Sequence, residues 1–271
     1  MRFTAAALLL GLAPVGAAPV ISELMFHPPH TASQENSQEE WLELYNPGPD
    51  PVDLTDWQIG GVSFTFPNVT IAPNDYLVVA ADVQIFQARH PRVKEVVGDW
   101  LGRLSNRGEA IVLRNHLGDE VDRVKYADGG DWALRRPGPD DRGHTGWIWH
   151  APADGGGKSL ELRNLWFSNS SGQNWAASIP DRGTPGEQNS TFALNIPPLI
   201  EDVSHYPAVP GPNDLVLVRA RLTDDLSSAY GVVHHRVSSP TPGAFLTTAL
   251  RDDGLAGDEL AGDGIHSAVL P

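Results

Sequence analysis

From residue 18 onward, no apolar run in this chain outlasts a β-strand. Segments of five to eight residues alternate or run apolar, and each is closed by turn formers. Val20–Phe26 stops at His27-Pro28-Pro29, and Trp41–Tyr45 stops at Asn46-Pro47-Gly48-Pro49-Asp50. Trp57–Ile59, Phe64–Phe66, Tyr76–Ala81, Ala110–Arg114 and Val121–Tyr126 follow at similar spacing. The one helical turn expected in this half is Asp82–His90, where Val83, Phe86 and Gln87 share a face. With 27 Gly and 23 Pro spread among 271 residues, the pattern predicts an all-β chain of sandwich or barrel type.

Charge and composition remove several functions. A net charge of −15 repels phosphate backbones and anionic headgroups, which argues against nucleic-acid binding and membrane insertion. The absence of cysteine removes disulfides, thiolate nucleophiles and Cys-ligated metals. No nucleophile elbow, zincin helix or phosphate-cradling loop is present. At the N-terminus, Met1-Arg2, the apolar stretch Ala5–Val15 and small residues through Ala17 read as a signal peptide over residues 1–17. That stretch is too short to span a bilayer, which takes about 20 residues. The mature chain is therefore expected outside the cytoplasm, secreted or at the cell surface.

Many short marks recur in order. They are Ile21-Ser22-Glu23-Leu24-Met25, Glu40-Trp41-Leu42-Glu43-Leu44-Tyr45-Asn46-Pro47, Val52-Asp53-Leu54 with Trp57, and Ile71-Ala72-Pro73. Leu104-Ser105-Asn106 with Gly108-Glu109, Ser159-Leu160-Glu161-Leu162, Asn174-Trp175 and Thr184-Pro185-Gly186 continue the series. Together they resemble the lamin tail domain in its bacterial, secreted form, over about Val20 to Asn189. The resemblance implies an immunoglobulin-like β-sandwich with no catalytic residues and no cofactor to carry over. It also implies a non-catalytic exported module for adhesion, spacing or binding of a protein or glycan partner. The alternative is the ancillary N-terminal region of a larger exported enzyme, kinase-like or hydrolytic, with its active site beyond residue 271.

The expected organisation is a sandwich over 18–189, a polar linker at 190–198, and a second immunoglobulin-like domain over 199–271. In the second domain, strands are expected near Val203, Leu215–Leu222, Tyr230–Val237, Ala244–Leu250 and Ser267–Leu270. Its 73 residues fall short of the roughly 100 of such a sandwich, so it reads as incomplete. An excursion at 129–157 interrupts the first domain and exceeds the family pattern, which makes it the place for binding particular to this chain. Its Trp147 and Trp149 either anchor it against a core or stack on sugar rings.

Two carboxylate groups remain to be weighed. Asp252, Asp253, Asp258 and Asp263 lie among glycines, which suits either a calcium ion or a solvated hairpin loop. Glu39, Glu40 and Glu43 with Asp50 and Asp53 carry the types used by glycosidases, but alternation puts Glu43 on a partly exposed face, and the group reads as solvated.

Overall fold

A computed structural model describes residues 18–29, 36–141, 144–224, 229–237, 239, 241 and 243–271. The expected leader at 1–17 lies outside the described residues. The chain divides into two compact units, one reaching to Asp128 and resuming at Pro152–Phe192, the other made of Gly129–Ala151 and Ala193–Pro271.

The first unit is built from twelve strands and one helix among the described residues. The strands are β1 (Val20–Met25), β2 (Trp41–Tyr45), β3 (Val52–Asp53), β4 (Gln58–Gly60), β5 (Phe64–Thr65) and β6 (Thr70–Ile71). After β7 (Tyr76–Ala80) come the helix α1 (Val83–Arg89), β8 (Val96–Gly98), β9 (Ala110–Arg114) and β10 (Glu120–Lys125). The hairpin β11 (Leu134–Asp141) and β12 (His144–His150) belongs to the other unit, and β13 (Leu160–Leu162) and β14 (Trp175–Ala177) return to the first. One sheet runs β14-β13-β1-β2-β7-β8 and is antiparallel except at β7/β8. The other runs β10-β9-β4-β5, and β3 pairs with β6.

Register explains the core. Leu160, Leu24, Leu42 and Val79 stand opposite one another across four strands, and all four are fully buried. Ile59, Ile111, Leu113 and Val124 supply buried apolar side chains from the second sheet. Burying such a layer is the main favourable contribution to folding in a chain without disulfides. Phe26 meets Tyr126 at 4.8 Å between ring centroids. Asp122 of β10 accepts the Ile21 amide at 2.7 Å, where the register of β1 slips by one residue. The expected β-sandwich is the observed fold.

The large sheet is also covered on its other face. Met25, Trp41, Val78, Ala80 and Phe86 form a smaller apolar cluster, with Val83, Val93 and Val96 packed against it. Asp82 caps α1 by accepting the Ile85 amide at 2.9 Å, which turns the expected helical turn into a helix. Asn46 closes β2 by donating to the Asp50, Ile71 and Ala72 carbonyls and accepting from the Gly48 amide.

In the second unit, β15 (Leu199–Tyr206), β16 (Val216–Thr223) and β19 (Ile265–Leu270) form one sheet in the order β15-β16-β19. The pair β17 (Gly231–His235) and β18 (Leu246–Leu250) forms a second sheet. These are the five strands expected from alternation. Ile196, Leu199, Ala220, Leu222, Ala268 and Leu270 are its buried apolar residues among the described ones, while Val203, Tyr206 and Leu246 are exposed. The hairpin β11/β12 is tied to this unit by an Arg236–Asp141 ion pair at 2.8 Å.

Candidate functional site

Three glutamates stand side by side in the outer face of the large sheet. Glu161 on β13 lies opposite Glu23 on β1, which lies opposite Glu43 on β2, and each is 0% exposed. The row sits one residue along from the leucine row of the sandwich core, so it points to the opposite face. The expectation of a solvated Glu43 is therefore wrong. Alternation placed Glu43 correctly beside Trp41 and Tyr45, but that face is covered by chain from elsewhere in the unit. Glu40 is likewise buried and accepts the Leu104 amide at 2.7 Å, and Glu39 is held between Arg89 at 2.8 Å and Arg182 at 2.6 Å. Asp50 and Asp53 are exposed, so the five residues do not gather as one catalytic pair.

The cover over the row is the segment Gly183–Thr191. Thr184 gives its amide to Glu23 Oε1 at 2.9 Å and its hydroxyl to Glu161 Oε1 at 2.9 Å. The Gly186 amide donates to Glu43 Oε2 at 2.6 Å, and the Thr191 amide donates to Glu161 Oε2 at 2.8 Å. Ser190 Oγ also reaches Glu161, Ser22 Oγ donates to Glu43 Oε1 at 2.9 Å, and Ser159 Oγ donates to Glu23 Oε1. Burial raises the Glu23 carboxyl from the ordinary 4.5 to about 8, against the pull of its donors and with help from the Glu161 charge. Burial, reinforced by Glu23, also raises Glu43 well above the usual carboxylate range. Such carboxyls bind backbone donors and hold protons. Their oxygens are occupied by the fold itself.

Beside this cover lies an open groove of about 590 Å³, with Arg89, His90, Arg92 and Lys94 along one side and Thr184 and Gly186 on the other. Burial and the nearby Arg182 push the His90 imidazole down to about 4, so it is neutral at pH 7.

The remaining candidates lie in the second unit. Trp147 and Trp149 are 59% and 47% exposed, so they do not anchor the hairpin in a core, which corrects that branch of the expectation. They stand two residues apart on β12, hence on one face, opposite Pro137 and Arg135 of β11. The Arg135 guanidinium lies 5.1 Å from the Trp149 ring centre. In the loop between β18 and β19, Asp252, Asp258 and Asp263 converge, with one carboxylate oxygen from each within 4.8 Å of the others. Asp253 is not in this group. It accepts the Leu255 amide at 3.0 Å and lies 3.5 Å from Arg251. Asp252 accepts the Gly262 and Gly264 amides, and Asp258 accepts that of Gly254.

Sequence reasoning missed the glutamate row as a unit. A signal existed: Leu42-Glu43-Leu44, Leu160-Glu161-Leu162 and Glu23-Leu24 each set a glutamate against leucine inside a short apolar strand. Residues 13–128 match the family model described as Lamin Tail Domain. A comparison with curated proteins finds no match.

Proposed function

We propose that this chain, whose residues 13–128 match the lamin tail domain model, a family of non-catalytic immunoglobulin-like modules, acts in adhesion or spacing outside the cytoplasm, with a glycan as the surface partner. The contact surface is the face of β12 that carries Trp147 and Trp149. One observation supports this above the others: two large aromatic rings, both about half exposed, share one face of a two-stranded ribbon. Indole rings stack on the C–H faces of sugars and retain them without a deep pocket. The acidity of the chain disfavours an anionic membrane as the alternative acceptor.

The experiment is retention on insoluble and arrayed polysaccharides, read for the whole chain and for Trp147→Ala and Trp149→Ala. Each truncation is expected to weaken binding about tenfold, the equivalent of about 1.4 kcal/mol. Both side chains are exposed, so the variants keep the parent melting temperature. Binding by the parent that neither substitution reduces, or no glycan binding at all, removes the proposal.

A further inference from the structure

We propose that Glu23 and Glu43, beside Glu161 in the same row, form a proton-dependent latch: protonated, they keep the segment Gly183–Thr191 down on the large sheet, and alkaline conditions release that segment while the sandwich behind it stays folded. The inference is independent of the glycan reading and concerns the other unit.

Geometry carries the argument. Three carboxyl groups stand in consecutive register positions on adjacent strands, where directly opposite Cβ atoms are about 5 Å apart. Like charges at that spacing in a water-excluded layer cannot all ionise without neutralisation. The groups that face the row do not provide it. On β7, Tyr76 is a neutral phenol whose own ionisation is further suppressed by burial and by Glu43. Just before the cover, Arg182 is bound to Glu39, and within it Glu187 is exposed and of the same sign. His90, across the groove, is neutral. Glu161 and Glu43 are opposed across their outer sides by Ala176 and Val78.

The cover is fastened chiefly through these carboxyls. Three of its amides, those of Thr184, Gly186 and Thr191, end on Glu23, Glu43 and Glu161 respectively. Its other fastenings include Asn189, which donates to the Ser22 and Leu162 carbonyls at 2.8 and 2.9 Å, and Ser190 Oγ, which accepts the Ile179 amide at 2.8 Å. Opening lets water reach the row, so Glu23 and Glu43 regain their ordinary values. The closed form of Glu23 holds its proton up to about pH 8, whereas the open form loses it near 4.5. A group raised in the closed state stabilises that state fully below the lower value, and the contribution disappears as pH rises through the upper one. Between those limits, each retained proton makes opening up to tenfold more favourable per pH unit.

Amide hydrogen exchange on the whole chain tests this from pH 5 to 9, with rates corrected for intrinsic exchange. Protection at Thr184, Gly186 and Thr191 is expected to fall by up to tenfold or more per pH unit, while the amides of β9 keep theirs. Glu43→Gln, which keeps the shape and removes the charge, is expected to flatten the fall. Constant protection at the three amides, loss in step with β9, or a Glu43→Gln variant that loses protection as the parent does would each overturn the latch. If that variant does not fold, the parent profile alone decides, because the contrast between the cover and β9 needs no substitution.

Discussion

Gly183 sits at φ +80° directly above Glu23, where a Cβ would overlap Glu23 Oε1 and come within 2.6 Å of Ser159 Oγ. The position therefore requires glycine twice over, once for its backbone region and once for space. Gly183→Ala is expected to lower stability by about 2–4 kcal/mol, read from the shift in urea midpoint. An unchanged midpoint would mean that the cover moves aside freely and that the glutamate row does not hold it closely. The Thr184-Pro185-Gly186 mark was visible in the sequence as a turn. What the turn touches was not visible, because its partners lie on strands more than a hundred residues away along the chain, at Glu23 and Glu43.

At the scale of elements, turn and cap chemistry could be read directly. Asn46-Pro47 ends β2 through the Asn46 side chain, and Asp82 begins α1, both by contacts within their own neighbourhood or with the adjoining turn. On the β11/β12 ribbon the core anchorage of Trp147 and Trp149 that the sequence allowed does not arise. An aromatic-rich strand buries its rings only where another element comes to cover them, and periodicity is silent on that. The loop between β18 and β19 poses a similar question. If calcium binds where Asp252, Asp258 and Asp263 converge, the melting temperature measured with calcium exceeds that with chelator, and Asp258→Asn abolishes the difference. Equal melting temperatures would leave the three carboxylates as loop caps only, each holding backbone amides as they do here.

For the molecule as a whole, the net charge of −15 acts on stability and solubility more than on fold. Self-repulsion opposes compaction, and it is screened over about 10 Å at 0.1 M salt and about 3 Å at 1 M. Raising sodium chloride from 0.01 M to 0.5 M is expected to increase the melting temperature by a few degrees, and a decrease would show that attractive pairs such as Arg182–Glu39 outweigh the net repulsion. The sequence by itself determined the strands, the sandwich class and the turns, because alternation, turn formers and caps act between residues that are close along the chain. It also determined which residues share a face, since the side-chain period of a strand is fixed at two. Only the tertiary structure decided which faces are dry. The outer face of the large sheet is closed by α1 and by Gly183–Thr191, and that closure makes a buried row of Glu161, Glu23 and Glu43 from what alternation alone presents as an open polar face. On β12 no such cover arrives among the described residues, and Trp147 and Trp149 stay exposed. Burial is a property of what meets a surface, and the segments that meet these surfaces are distant in sequence.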